Sequence, residues 1–275
     1  MNFEKIRQEV KYLFFDLDGT LINDERKLAS HNAELPKLLK SLNLKYSIIT
    51  GRPYFMMLKE IDELQPMLPI VAMNGALIFN NNNILYEKKM DHNLVKSLIT
   101  YLETNNLNFY LYTSKKIYVS PNDFSHVNRW RNIIKMLPEK YQWEIDIVSS
   151  YNYQEPVFKF LVSSEKQDCT FNSIQKTFGD NLSLSKSTFS SIDIGTANIT
   201  KGSGLLELMK ILNAKPHEFM VFGDGGNDLP MFEIAKYSVA MSNAANFVKE
   251  AATFVTDNDN NNGGVIKFIK KIWNV

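Results

Sequence analysis

Two pairs of carboxylates lie far apart in this chain, each directly behind an apolar run. Asp16-Leu17-Asp18-Gly19-Thr20 follows Tyr12-Leu13-Phe14-Phe15, and Gly223-Asp224-Gly225-Gly226-Asn227-Asp228 follows Phe219-Met220-Val221-Phe222. If the first pair faces one crevice, it can divide two tasks: Asp16, bound to a cation, stays ionised and attacks, while Asp18 shuttles the proton. Gly19 lets the chain turn sharply behind them. Turn chemistry alone explains every residue of an Asp-x-Asp-Gly segment except the first aspartate, so in isolation this segment leaves both readings open. Asp224 and Asp228 add hard oxygen ligands of the kind magnesium prefers, a small octahedral ion that retains waters and a phosphate oxygen. A calcium loop is the competing reading, but the EF-hand spacing with its distal glutamate is absent.

Two weaker signals join these. Thr50-Gly51-Arg52-Pro53 follows the apolar run Tyr46–Ile49, and the spacing predicts a helix from Pro53 through Leu64 whose first N–H groups, from Gly51 onward, would receive a phosphate. A threonine before glycine also serves as a plain cap or turn residue. Lys201 precedes an amphipathic stretch and is placed to neutralise a phosphate or Asp16, although a lone lysine there is ordinarily a solvated surface charge.

The elements that must position these residues alternate. Strands are expected at Tyr12–Phe15, Tyr46–Ile49, Ile70–Met73, Phe219–Phe222 and Val239–Met241, with helical spacing at 32–39, 53–64 and 200–213. Such β-then-α order predicts a parallel sheet with helices on its faces, and open α/β sheets place ligands beyond the carboxyl ends of their strands. Between 84 and 193 the grammar changes. Strands at Phe109–Tyr112, Ile117–Val119 and Phe158–Val162 alternate in polarity, and helices are expected near 92–105, 125–137 and 165–178, as in a sheet with one covered face. The fold class is therefore α/β: a core from residues 1–83 and 194–275, interrupted by an α+β insert at 84–193. The asparagine-rich pieces Asn80–Asn83 and Asp257–Asn262 are expected to be exposed turns.

Composition excludes several classes. At 275 residues and 44% hydrophobic content, a folded chain with one large or two moderate cores is expected. Lysine plus arginine, 31, nearly balance aspartate plus glutamate, 30, which removes the bulk argument for nucleic acid or an anionic membrane as partner. The single cysteine, Cys169, forms no internal disulfide, and neither a signal-peptide core nor a membrane-length apolar run is visible, so a cytoplasmic location is expected. No Gly-x-Gly-x-x-Gly follows the first strand, which argues against a nicotinamide cofactor.

Together, Asp16-Leu17-Asp18-Gly19-Thr20, Thr50-Gly51-Arg52, Thr200-Lys201-Gly202 and Gly223–Asp228 resemble, in order, the four motifs of haloacid dehalogenase (HAD) superfamily phosphatases. The long insert between the second and third motifs resembles the Cof-type subfamily with its C2 cap, and Asn74-Gly75-Ala76 and Val239–Ala244 match segments of that subfamily. The resemblance implies a Rossmann-like HAD core with a C2-type cap. It further implies a Mg²⁺-dependent phosphatase of small phosphorylated metabolites, sugar phosphates or phosphorylated cofactors, working through an aspartyl phosphate. Asp16 would be nucleophile and metal ligand, and Asp18 general acid/base with its backbone carbonyl on the metal. Thr50, Gly51 and Lys201 would hold the phosphoryl group, Asp224 would bind Mg²⁺, Asp228 would support that shell, and Asn227 would contact phosphate or cap. Tyr110, Tyr112, Lys115, Lys116, Arg129 and Trp130 are candidates for a polar pocket in the insert, or simply packing residues. Two departures, Ser242 where glycine is common and Ala197-Asn198-Ile199 before the lysine, bear on substrate fit rather than on the chemistry. A sugar phosphomutase using the same aspartyl phosphate, or a non-catalytic Mg²⁺- and phosphate-binding regulatory module, are the alternatives. Receiver domains are shorter and lack such an insert.

Overall fold

Short apolar runs with neither face fit for water must be covered on both sides, and the chain does this with a parallel sheet. The computed structural model describes residues 3–81, 83–121, 124–148, 155–188 and 190–275. In chain order the strands are β1 (Tyr12–Phe15), β2 (Lys45–Ile48), β3 (Ile70–Ala72), β4 (Leu77–Asn80), β5 (Asn83–Glu87), β6 (Asn108–Thr113), β7 (Lys116–Val119), β8 (Glu144–Ile147), β9 (Val157–Ser163), β10 (Leu182–Thr188), β11 (Ser191–Thr196), β12 (Phe219–Gly223), β13 (Tyr237–Ala240) and β14 (Phe254–Val255).

Five of these form one sheet in the order β14-β13-β12-β1-β2, every pair parallel. At its centre Leu13, Phe14 and Phe15 are buried, and the Phe15 and Phe222 rings lie 5.0 Å apart. Each such buried ring stabilises the sheet by roughly 1.5–3 kcal/mol, which is why β1 and β12 are the fixed reference for everything attached to their ends. From β1 the chain steps to β2 on one side and returns as β12 on the other. The switch between β1 and β12 opens a crevice beyond their carboxyl ends, where Asp16 and Asp224 follow. β3 touches this sheet through a single parallel bridge, Ile49 to Val71, and otherwise pairs antiparallel with β4 in a separate three-stranded sheet with β5.

The helix expected from Pro53 is a correction. Pro53 is extended (φ −71°, ψ 151°), Tyr54–Met56 form a short 3₁₀ turn, and the α-helix covers only Leu58–Leu64. Gly51, Arg52 and Pro53 therefore do not open an α-helix, and no N-terminal row of helical amides follows Thr50 directly.

The chain divides into two units: Met1–Gly51, Glu60–Tyr86 and Thr200–Val275 form one, and Arg52–Lys59 with Glu87–Ile199 the other. These limits differ from the expected 84 and 193. β5 joins β3 and β4, which moves the first break beyond Tyr86, and β11 stays hydrogen-bonded to β9 through Gly195 and Lys159, which moves the second to Ile199. Residues 52–59 join the insert across a gap in sequence, the Phe55 ring lying 6.0 Å from that of Trp143.

The second unit is a six-stranded sheet, β10-β11-β9-β6-β7-β8, antiparallel except for the parallel β7–β8 pair. Alternation puts Phe109, Leu111, Phe160, Val162, Ile192 and Ile194 on one face, where they pack with Val95, Leu98, Ile99 and Leu102 of helix His92–Thr104 and Ile174 of helix Gln167–Phe178. Three of the six side chains considered for a polar pocket are engaged within this unit. Tyr112 is buried with the Lys159 ammonium 5.3 Å above its ring, Lys116 pairs with Asp146 at 3.3 Å, and the Trp130 ring packs 5.7 Å from Trp143. Lys115 and Arg129 are exposed.

Of the two asparagine segments, the described part of the first is exposed and turns between β4 and β5 as expected, and the second departs from expectation. Asn82 lies outside the described residues, and Asn81 takes the left-handed conformation of a turn (φ 53°). In the other segment Asn260 is only 3% exposed, because its amide is drawn inward to Ile22 and Asp24. Among the described residues no helix is long and apolar enough to cross a membrane.

Candidate active site

Asp16 leaves β1 with its N–H donating to Phe222 O at 2.9 Å, so the β1–β12 ladder itself fixes where its side chain begins. That side chain is buried, and its Oδ1 accepts from Lys201 Nζ at 2.7 Å. Lys201 Nζ also donates to Asp228 Oδ1 at 2.6 Å. Lys201 is the first residue of helix Lys201–Leu212, held there by a capping box in which Thr200 Oγ1 accepts from Ser203 N and Ser203 Oγ accepts from Thr200 N. An ammonium buried at the positive end of a helix is electrostatically unfavourable, and the two carboxylates are what compensate it.

Asp228 is fully buried, and its Oδ2 accepts from the N–H groups of Asp224 and Gly225, both at 2.9 Å. The carboxylate thus folds the Gly226–Asp228 turn back on itself and fixes Asp224. Asp224 lies against Gly19, whose left-handed φ of 76° and close approach leave no room for a side chain: a Cβ there would meet Asp224 Oδ2 at 2.2 Å. Asp18, between Asp16 and this turn, is exposed.

Asp16, Asp224 and Asp228 each bring an oxygen to within 4.8 Å of the others. Burial raises Asp16 well above the ordinary carboxylate range; Lys201 opposes this, while Asp228, Asp224 and Asp18 add to it. Burial, then the neighbouring Asp228, likewise pushes Asp224 up to about 7, against the pull of Lys201. For Lys201, burial works downward, but the attraction of Asp16 and Asp228 prevails and raises it. Three crowded carboxylates facing one ammonium are short of positive charge, and an oxygen-only donor set fits a hard divalent cation such as Mg²⁺.

A pH prediction follows. Asp224 titrates near 3.8 when unfolded and near 7 when folded, so between these values the folded state holds the extra proton. Metal-free stability therefore falls as pH rises through that window. A divalent cation needs the ionised carboxylate, so its affinity weakens by about tenfold per pH unit below 7. The expected result is a larger Mg²⁺-induced rise in Tm at pH 8 than at pH 5.5 in thermal melts with and without the metal; equal shifts would contradict it.

Thr50 is buried; its N–H donates to Val71 O at 2.9 Å and its carbonyl accepts from Asn74 N at 3.0 Å. Gly51 follows it, half-buried. Asn227 Nδ2 donates to Asn74 Oδ1 at 3.2 Å, so Asn74 joins the Thr50 segment to the Asp224–Asp228 loop. Met73, Asn74 and Gly75 all have positive φ (52°, 53° and 98°), a strained turn of the kind retained at functional sites. Of the expected residues, Asp16, Lys201, Asp224 and Asp228 converge directly, whereas Thr50 and Asn227 are joined through Asn74. The joint role of Asp228, bonding Lys201 as well as shaping the Asp224 loop, was not apparent from sequence.

Comparison with known proteins places this geometry in context. The haloacid dehalogenase-like hydrolase family matches residues 13–269. A Bacillus subtilis (strain 168) protein, the 5-amino-6-(5-phospho-D-ribitylamino)uracil phosphatase YwtE, is 29% identical over 284 residues, covering 96% of this chain and 98% of that protein. Among solved structures, SMU.1108c from Streptococcus mutans UA159 superposes with a TM-score of 0.82 at 28% identity, covering 97% of this chain and 100% of the other. The HAD subclass IIB sugar phosphatase BT4131 shares the fold with a TM-score of 0.84 at 24% identity, covering 97% and 100%.

Proposed function

This chain belongs to the haloacid dehalogenase-like hydrolases, and from that premise we propose that it is a Mg²⁺-dependent phosphatase of small phosphorylated metabolites that works through an aspartyl phosphate on Asp16. The observation that carries the proposal is the buried Asp16–Lys201–Asp228 array, with Asp224 beside it and the exposed Asp18 two residues from the nucleophile.

Asp16, Asp224 and Asp228 would hold or support the ion, with the Asp18 backbone carbonyl contributing. When bound, Mg²⁺ supplies charge neutralisation and polarises a phosphoryl oxygen. In the first stage an Asp16 oxygen forms the new bond to phosphorus, the bond from phosphorus to the leaving oxygen breaks, and Asp18 protonates that oxygen. In the second, Asp18 takes a proton from water, the water oxygen bonds to phosphorus, and Asp16 leaves as a carboxylate. Exposure suits Asp18 to this exchange, since it can recover protonation equilibrium with solvent, and burial suits Asp16 to staying fixed. Lys201 opposes the negative charge on Asp16 and on the phosphoryl oxygens through both stages. Thr50, Gly51 and Asn227 are assigned to the phosphoryl group as well, with support only from their placement beside Asn74 and the Asp224 loop.

The insert, Glu87–Ile199 with Arg52–Lys59, is assigned the selection of the leaving group, in keeping with a C2-type cap. Relatives point to sugar phosphates or a phosphorylated ribitylaminouracil as the first substrates to try. Phosphate release should be measured across a panel of such esters with Mg²⁺ and with EDTA. Release from some members, abolished by EDTA and restored by Mg²⁺, is expected; robust turnover in metal-free buffer would contradict the site. Arg129→Ala and Lys115→Ala, exposed in the insert, are expected to reorder the ranking of substrates while leaving the metal requirement intact.

A further inference from the structure

We propose that Asn243, Asn260 and Asp24 form a clamp that positions the turn carrying Asp18. The catalytic consequence rests on the phosphatase reading; the clamp itself does not. The turn is built on one carbonyl: Leu17 O accepts from the N–H groups of Thr20, Leu21 and Ile22 at 3.2, 3.0 and 2.8 Å. Asp18 rides on this turn with an exposed side chain, while Leu17, Leu21 and Ile22 on either side of it are buried and anchor the turn's ends. Hydrogen bonds from two other loops hold the backbone between and beyond these anchors. Behind β13, Asn243 Nδ2 donates to Gly19 O at 2.9 Å. Behind β14, Asn260 Nδ2 donates to Ile22 O at 3.0 Å and to Asp24 Oδ1 at 3.1 Å. Asn261 completes the grip: its Nδ2 donates to Asp24 Oδ2 and its Oδ1 accepts from Asp24 N, both at 3.0 Å.

The two gripping loops are themselves tied together. Asn260 N donates to Asn243 Oδ1 at 3.2 Å, and Thr256 Oγ1 accepts from Ser242 N at 2.9 Å while donating to Asn258 O at 2.6 Å. The clamp thus hangs on the parallel pair β13–β14, part of the same sheet that carries Asp16. It grips the turn at Gly19, the residue packed against Asp224, and three residues further on at Ile22. The asparagine-rich segment has a use: it is where the end of the chain's last strand reaches back to the first loop.

Asn243 and Asp24 are exposed, where an ordinary substitution changes stability by less than about 0.5 kcal/mol and has no bearing on turnover. A clamp makes a different demand, because small misplacement of a reacting group is costly in rate. Asn243→Asp keeps the acceptor for Asn260 N but turns a carboxylate oxygen toward Gly19 O; Asp24→Ala removes the acceptors for Asn260 and Asn261. For both, kcat and KM for p-nitrophenyl phosphate with saturating Mg²⁺ are measured beside amide hydrogen exchange across residues 17–24. The expected result is a fall in kcat on the order of tenfold with KM little changed, faster exchange in that segment, and an unchanged Tm. Unchanged exchange overturns the clamp, and faster exchange with unchanged kcat overturns its role in positioning Asp18. Wild-type protein that releases no phosphate from this ester counts against the phosphatase reading instead, and the exchange data then decide the clamp alone.

Discussion

Replacing Asp16 by asparagine abolishes both phosphate release and any covalent phosphoenzyme while leaving the fold intact. The amide is almost the same size but lacks the anionic oxygen that must bond to phosphorus, and loss of a nucleophile costs on the order of 10⁴-fold or more in kcat. Stability moves the other way or not at all. Burial and three neighbouring carboxylates hold Asp16 well above its ordinary range, so a neutral side chain relieves repulsion even as it weakens one bond to Lys201. Lys201 keeps Asp228 as a partner. A melting temperature equal to or above that of the wild type, with turnover at background, is the expected pair of readings. Labelled phosphate trapped on the Asp16→Asn protein would disprove the nucleophile assignment.

Lys201→Met is expected to damage fold and chemistry together. Methionine fills much of the same volume but leaves Asp16 and Asp228 buried without their shared ammonium. Breaking a buried ion pair from one side costs about 3–5 kcal/mol. The cost is larger at high pH than at low, because burial holds the Asp16 carboxyl well above its ordinary range and it becomes an uncompensated charge only as pH rises; Mg²⁺ recovers part of it. The rate loss should be on the order of 10²- to 10³-fold, the range seen when one fixed electrostatic donor is removed from a charged transition state. Melts at pH 6 and pH 8.5, with and without Mg²⁺, together with kcat, test this. A variant as stable as wild type at both pH values without metal would show that the ammonium is not what holds these carboxylates.

The parallel sheet was legible in the sequence because its strands are buried on both faces and so read as unbroken apolar runs, β1 and β12 above all. Strands such as Glu144–Ile147 and Leu182–Thr188 escaped because they carry polar residues at close intervals and are short or sit at a sheet edge. Helix Gly264–Trp273 escaped despite buried Val265, Ile266, Phe268, Ile269 and Ile272 at helical spacing, since it spans only ten residues behind a left-handed Gly263. In the site, residue type and position behind a strand marked Asp16 and Asp224 as candidates, whereas Lys201 stood out through its place before an amphipathic helix and the order of the four motifs. Local sequence does not encode partnership across it. The Lys201–Asp228 contact joins residues 27 apart, and the Asn260–Ile22 contact joins residues 238 apart. The asparagines were read as turn formers for the same reason: turn propensity is local, whereas the burial of Asn260 is imposed by a loop at the other end of the chain.

The central claim is that Asp16 carries the phosphoryl group between substrate and water. Its most direct test is rapid acid quench of the wild-type protein during turnover of a labelled phosphate ester with Mg²⁺, followed by peptide mapping. Label on the peptide containing Asp16, appearing and decaying at rates that match phosphate release, is the predicted result. Phosphate release at the same rate with no label on the protein at any quench time, under conditions where a reference acyl phosphate survives the work-up, would mean that water attacks the substrate directly and would contradict the account.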